Sequence, residues 1–438
     1  MSFTRGGTRT GQSPFRGSSA FRGLAPVRLD GGSAHRLGFG NGGGLGPRPR
    51  GRRSFFARFL RKVFGRDSPL RHLDWILLLG VLALSLIGTL LVWSATAPTL
   101  QQQGADPHSY LIRNLLNIAI GLVLLAGVSM LDYRQIRALA PYVLILSCLG
   151  LLAVLTPLGS VVNGAKSWIS LPGGFQIEPS EYAKLSIILV GAIMLGELKS
   201  GQERPRLRAV LLTLGISAIP LLLVIAEPDL GVTMLMVALL IGMIALSGVR
   251  LRWLLGLLAV GVIGILAVLK LHLLKGYQTS RLTSFLNPNA NLRGSGYELN
   301  QSLIMIGSGG AHGQGLFKGQ LVAGNFVPEQ HTDFIFSVSG EELGFYGSLV
   351  ILVLLAVILI RALRIAYRAD DQFGMLLAGG IAVWLGVQSF INIGMTIGIM
   401  PVTGLELPFL SYGGSAMFAD MIAVGALQAV YRHRLVFR

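Results

Sequence analysis

The residues Phe326–Phe336, FVPEQHTDFIF, concentrate the reactive side chains of this chain: Glu329, His331 and Asp333 at every second position. An apolar run long enough to cross a bilayer starts directly behind them. A carboxylate at that lip sits where water meets hydrocarbon, a costly placement that is usually kept for function. Thr332 or Asp333 is placed to cap the helix that follows, and the helix start would keep an Asp333 carboxylate ionised. His331 and Asp333 could also bind a metal, although two ligands are too few for a convincing site.

Three further clusters carry polar side chains between apolar runs. In NGAKSW, Lys166 is the one cation of its loop, and Trp168 suits a membrane interface. In EPSEYAK, Glu181 and Lys184 are three apart, so they share a helix face and can pair. Such a pair either fixes helix packing or lines a polar substrate cavity. Asp229, in AEPDLG, stands at a two-acid hinge where it can cap the next helix. Ser411, Gly413, Gly414 and Ser415, in PFLSYGGS, open the last apolar run. Amides at a glycine-rich helix start can hold an anion such as a phosphate; the plain alternative is a tightly packed helix entry. Cation, amides and acid together suit a lipid-linked phosphate, and the sequence has no P-loop or dinucleotide fingerprint.

The elements that position these groups follow from composition. The 438 residues are 52% hydrophobic and 13% charged, with a mean hydropathy of +0.64, whereas soluble domains carry about 25% charged residues. The reading is an all-α polytopic membrane protein with about ten transmembrane helices, at 74–97, 113–131, 140–158, 181–198, 209–226, 230–248, 253–272, 334–360, 373–398 and 411–431. The first run begins too late, at Trp75, for a cleaved signal peptide. The lone cysteine, Cys148, excludes an intramolecular disulfide framework.

Charge orients the helices. Residues 1–72 hold fifteen Lys and Arg against two acids, a net +13 of the chain's +17. Residues 1–50, rich in Gly, Arg and Ser, read as disordered. Residues 51–66, GRRSFFARFLRKVFGR, fit a basic amphipathic segment on anionic membrane lipids; the alternatives are a solvated tail with only a topological role and RNA binding by the Arg/Gly-rich tail. The reading taken has no nucleic-acid partner. With the tail cytoplasmic, loops on that side and the C-terminus hold fourteen Lys and Arg, against five opposite. The positive-inside rule then puts both termini in the cytoplasm. The 273–333 loop, between helices 7 and 8, is extracytoplasmic. Its Tyr277, Phe285, Leu303, Ile306 and Phe326 speak for short interfacial helices. The domain plan is a tail at 1–72, a membrane domain at 73–432 and a basic C-terminus at 433–438.

These motifs, NGAKSWI, QIEPSEYAKL, EPDLG, SRLTSFLNP, GYELNQSLIMIGSGG, FVPEQHTDFIFSVSGEELGFYG and NIGMTIGIMPVTGLELPFLSYGGSA, resemble those of the SEDS family (shape, elongation, division and sporulation) over about residues 74–432. FLNP with GYELNQS is more RodA-like; FSVSGEELG leans towards FtsW. The RodA side is taken.

The resemblance implies a peptidoglycan glycosyltransferase of the bacterial cytoplasmic membrane that serves cell elongation. Its substrates would be lipid II and an undecaprenyl-diphosphate-linked glycan, and its partner a class B penicillin-binding protein. The family's essential acid maps to Asp333, and its Glu-x-x-Lys pair to Glu181 and Lys184. Asp333 would serve as general base for the acceptor 4-hydroxyl, forming β1,4 bonds with inversion. Lys166, Lys184 and Arg281 would balance charge on the departing diphosphate. The substrate-binding set expected is Lys166, Trp168, Glu181, Lys184, Asp229, Arg281, Gln301, His331, Ser411, Gly413, Gly414 and Ser415. No cofactor is required by this reading, and a divalent cation (Mg or Mn) stays open. The competing readings are a lipid II flippase, a division-type FtsW-like polymerase and a scaffold for a transpeptidase.

Overall fold

The computed structural model describes residues 73–162, 165–170, 176–197, 205–270, Thr279, Arg281, Phe285 and 294–436. The tail at 1–72, with its 51–66 segment, lies outside the described residues, as does most of 271–293.

The helices are α1 (Trp75–Gln102), α2 (Ser109–Ser129), α3 (Tyr133–Leu155), α4 (Pro179–Gly196), α5 (Leu207–Ala226), α6 (Leu230–Leu246), α7 (Leu251–Lys270), α8 (Ser295–Ser308), α9 (Gln320–Ala323), α10 (Ile335–Tyr367), α11 (Gln372–Thr396) and α12 (Gly414–Val436). Among the described residues, eight helices are long and apolar enough to cross a membrane; the stretches Leu230–Leu246 and Leu251–Gly264 are apolar but shorter. All ten expected segments therefore appear as helices, eight of them at spanning length. The protein is a multi-pass, mainly helical membrane protein.

Local chemistry sets the helix starts. Asp74 accepts from the Leu77 amide at 3.1 Å, Asp229 from Val232 at 2.9 Å and Asp371 from Gly374 at 3.1 Å, each satisfying an amide with no intrahelical partner. Pro179 stands at the first turn of α4, where its missing N–H costs nothing. The expected cap on α10 is absent. Its N-cap is Phe334, with no side-chain cap bond, because the preceding residues fold back onto the Glu329 carbonyl: the Thr332 and Asp333 amides donate to it at 3.1 and 3.2 Å. A second break falls inside α10 at Gly344, where φ is +68° and the Phe345 and Tyr346 amides bond out to Gly310 and Ala311.

Helices α4, α11 and α12 form the buried centre, with 72–78% of each membrane window enclosed, against 22–28% for α2, α3 and α5. The central three are also the least apolar of the eight candidate spans. Lipid is as apolar as any protein core, so polarity is concealed inside and grease faces out.

One element was not expected. Between α3 and α4, a region read as loop, lies an antiparallel sheet of β1 (Gly159–Val162), β2 (Ala165–Ser170) and β3 (Gln176–Ile177), in that order. Gly159 pairs with Ile169, which also pairs with Ile177.

Candidate active site

Several segments converge on a cavity of about 370 Å³. The start of α2 supplies Tyr110, Arg113 and Asn117; β2 supplies Ser167 and Trp168; the entry to α4 supplies Glu178 and Glu181; and the α5–α6 hinge supplies Asp229. Arg281, the turn Glu329–Asp333 and the strap Thr403–Gly414 between α11 and α12 close it. This volume suits a small-molecule site.

The turn places Asp333 at the cavity wall, half-buried. A Cβ built on Gly404 would lie 3.4 Å from Asp333 Oδ2 and 3.6 Å from Arg281 Nη1, so carboxylate and guanidinium flank one glycine. Arg281 also donates to the Thr403 carbonyl at 3.1 Å. Burial, then Glu329, push Asp333 up to about 7, against the pull of Arg281. This corrects the expectation that a helix start keeps it ionised: Asp333 is not that cap. Burial likewise lowers His331, which stays neutral at pH 7. Glu178 and Glu406 are raised, first by burial and then by neighbouring carboxylates, Glu181 foremost.

The structure sorts the expected binding residues. Trp168, Glu181, Asp229, Arg281, His331, Gly413 and Gly414 line the cavity with Asp333. Asp229 does so while capping α6. Lys166 belongs to β2, and its side chain lies outside the described residues. Lys184 does not line the cavity. It is fully buried, donating to Glu181 Oε1 at 2.6 Å and Gln388 Oε1 at 3.1 Å, with Nζ 5.1 Å from the Trp384 ring centroid. Helical phase turns Glu181 to the cavity and the Lys184 ammonium towards α11. Gln301 sits on α8, away from the cavity. Ser411 and Ser415 are structural ties. Ser411 donates to the Thr332 carbonyl at 2.6 Å; Ser415 donates to the Gln176 carbonyl and accepts from the Glu178 amide, both at 3.0 Å.

Arg113, Tyr110 and Glu406 are among the cavity residues that escaped the sequence reading. Arg113 stands at the edge of a segment read as lipid-spanning, and its guanidinium lies near the Tyr412 hydroxyl. Tyr110 packs 4.8 Å from Tyr412 and 5.2 Å from His331, centroid to centroid. Glu406 sits against Gly413, where an added Cβ would overlap its carboxyl. The glycine-rich start of α12 thus already faces an acid of this chain. Among the described residues, no group of three or more His, Cys, Asp or Glu is placed to hold a metal ion, so no step below is routed through one.

Residues 74–435 match the family model FTSW_RODA_SPOVE, cell cycle protein. The chain is 37% identical over 363 residues to the peptidoglycan glycosyltransferase MrdB of Escherichia coli K12, covering 83% of this chain and 94% of that one. It is 38% identical over 371 residues to a probable peptidoglycan glycosyltransferase FtsW of Trichlorobacter lovleyi, covering 84% and 94%. Its fold is similar, at TM-score 0.68 and 29% identity over 83% of this chain and 98% of the other, to a chain solved in work on structural coordination of polymerization and crosslinking by a peptidoglycan synthase complex. This chain belongs to the FtsW/RodA/SpoVE family of membrane proteins, the SEDS family.

Proposed function

We propose that this protein is a peptidoglycan glycosyltransferase whose general base is Asp333. The observation that carries the reading is the Asp333 carboxylate beside the Arg281 guanidinium, across Gly404, at the wall of the cavity. Asp333 takes the proton of the acceptor 4-hydroxyl while that oxygen attacks the donor anomeric carbon from the opposite face to the diphosphate. The bond from that carbon to the diphosphate oxygen breaks, and undecaprenyl diphosphate leaves with the electron pair. One displacement converts an α-linked diphosphate into a β1,4 bond. Arg281 and Arg113 are the cations that line the cavity among the described residues, and they oppose the charge that builds on the leaving group. Burial and the neighbouring carboxylates raise Glu406 well above the usual carboxylate range, which favours a protonated carboxyl facing the α12 start as a donor to a phosphate oxygen. Lys184 acts from behind the wall, by fixing Glu181.

The charge pattern supports a cavity on the outer side of the cytoplasmic membrane, with both termini inside and the basic tail meeting the inner leaflet. A class B penicillin-binding protein is the proposed crosslinking partner, in keeping with the likeness to a chain from a peptidoglycan synthase complex. The GYELNQS pairing and the likeness to MrdB favour a role in elongation. The test is polymerisation of lipid II by the purified protein, with and without the partner, for wild type and Asp333→Asn. Polymer from wild type alone supports the reading. Full polymerisation by the folded variant would remove Asp333 as base. No polymer from either protein, with partner and divalent ions present, would move the reading to lipid II translocation.

A further inference from the structure

The segment that presents Asp333 is held from behind by three successive ties, one to each carbonyl of His331, Thr332 and Asp333. The Tyr412 amide donates to the His331 carbonyl at 3.0 Å, and Ser411 Oγ to the Thr332 carbonyl at 2.6 Å. Asn392 Nδ2, from α11, donates to the Asp333 carbonyl at 2.8 Å. The same nitrogen donates to the Leu405 carbonyl at 2.6 Å. Both protons of one amide are thus committed, one to the carbonyl of the proposed base and one to the strap beside it.

Asn392 is fully buried, and its Oδ1 has no hydrogen-bond partner. A flipped amide would turn oxygen towards two carbonyl oxygens, so the donor arrangement is forced. A side chain chosen only to fill this space would be apolar, since an unpartnered buried oxygen is costly. The donors are what the position retains. One turn earlier, Gln388 donates to the Glu406 carbonyl at 2.9 Å and accepts from Lys184 and from Trp384 Nε1, the latter at 2.7 Å. A continuous path therefore runs from Glu181 and Lys184 through Gln388 to the strap, and from the strap through Asn392 to Asp333.

We propose that Asn392 is a positioning residue for glycosyl transfer: it clamps the Asp333 main chain to the Thr403–Tyr412 strap and so aims the carboxylate at the acceptor hydroxyl. Gln388 is a weaker second clamp that couples the buried Lys184 to the same strap. The inference rests on Asp333 being the base. Misplacing a reacting group by about 1 Å costs on the order of 10²-fold in rate.

The experiment is lipid II polymerisation by full-length protein with its class B partner. Rate against substrate concentration and pH is measured for wild type, Asn392→Ala, Asn392→Asp, Gln388→Ala and Asp333→Asn. Ile391→Ala serves as a control: it removes a neighbouring buried side chain of α11 that makes no tie to the strap. Thermal unfolding gives the folded fraction used to normalise every rate. Both Asn392 variants are expected to lower kcat about 10- to 100-fold with KM within about twofold of wild type. The acid limb of Asn392→Ala should shift downward, because a released carboxylate gains solvent, whereas the acid added by Asn392→Asp should push it upward, as neighbouring carboxylates do. Gln388→Ala should lose less, and Ile391→Ala should destabilise while keeping wild-type kcat and acid limb. Wild-type kcat and pH profile in the Asn392 variants, with Asp333→Asn inactive, would overturn the clamp and leave the base standing. A kcat loss that Ile391→Ala reproduces would reduce Asn392 to packing. Full activity of Asp333→Asn would overturn base and clamp together.

Discussion

The two ends of the helical bundle bury acidic groups in opposite ways. At the end where α1 and α11 begin, the buried Asp74 is matched on every side. Its carboxylate accepts from the Leu77 amide and from Arg361 Nε at 2.8 Å, and Gln428 bonds both its backbone N–H and its carbonyl. Asp371 accepts from the Gly374 amide and from the Tyr133 hydroxyl. At the cavity end, Glu178, Glu181, Asp229, Glu329, Asp333 and Glu406 line one space with two arginines, and Glu181 and Glu406 each leave a buried oxygen without a partner. A matched carboxylate fixes geometry. A surplus of carboxylates is costly in the resting protein and is explained by a ligand and a proton that come and go.

The sharpest test of this contrast removes one charged side chain at each end, a carboxylate at the cavity and the arginine that pairs with Asp74 at the other. Asp333→Asn should reduce lipid II polymerisation by about 10²–10⁴-fold, as expected for a lost general base, with little change in thermal stability. Arg361→Ala should do the reverse. Removing one partner of a buried pair costs about 3–5 kcal/mol, so the unfolding midpoint should fall while activity per folded molecule persists. A polymerisation defect in folded Arg361→Ala would end the division of labour.

Smaller effects sharpen the cavity end. Arg113→Ala removes one of the two arginines that line the cavity and could meet a phosphate oxygen. Hydrogen bonds to charged groups contribute about 1.5–3 kcal/mol, which corresponds to about a 10- to 100-fold loss of kcat/KM, read from polymerisation at subsaturating lipid II. In pH profiles, the sign follows from the raised Asp333. An Asp in the unfolded chain titrates near 4 and Asp333 near 7, so the folded state binds the proton more tightly. Ionised Asp333 is the working base, so kcat/KM should rise with pH through about 7. Its burial costs stability increasingly from about pH 4 up to 7. Glu329→Gln removes the largest charge that raises Asp333 and should move the acid limb downward; an unmoved limb would assign it to another group. The smallest effect is expected from deleting residues 1–50, which should leave polymerisation in detergent nearly unchanged. Complete loss there would mean that the tail orders part of the membrane domain.

Much of the frame was legible in the sequence because apolar run length and loop charge are local properties. The run placed at 230–248 is α6 at Leu230–Leu246, and the run at 373–398 is α11 at Gln372–Thr396. The three-stranded sheet beside the cavity was not legible, because its strands are only 4, 6 and 2 residues long. Asp333, Glu181 and the Gly413–Gly414 pair were visible as polar or glycine positions at the lips of apolar runs. Arg113 was hidden because it stands where polarity passes into a span. Asn392 and Gln388 were hidden because an amide in an apolar helix carries no sign of which carbonyl it will meet.

By itself the sequence determined a multi-pass helical membrane protein with a carboxylate-bearing turn beside a span. Those features depend on how many apolar residues follow one another and on which residue types interrupt them. Only the tertiary structure decided that Glu181 faces the cavity while Lys184 turns away, that Glu406 occupies the start of α12, and that Asn392 ties Asp333 to the strap. The first and last depend on helical phase and on distant neighbours, 204 positions apart for the Lys184–Gln388 bond and 59 for the Asn392–Asp333 tie, and the second on how the strap folds back onto Gly413. Packing brings such distant groups within hydrogen-bond reach, and no local pattern encodes that meeting.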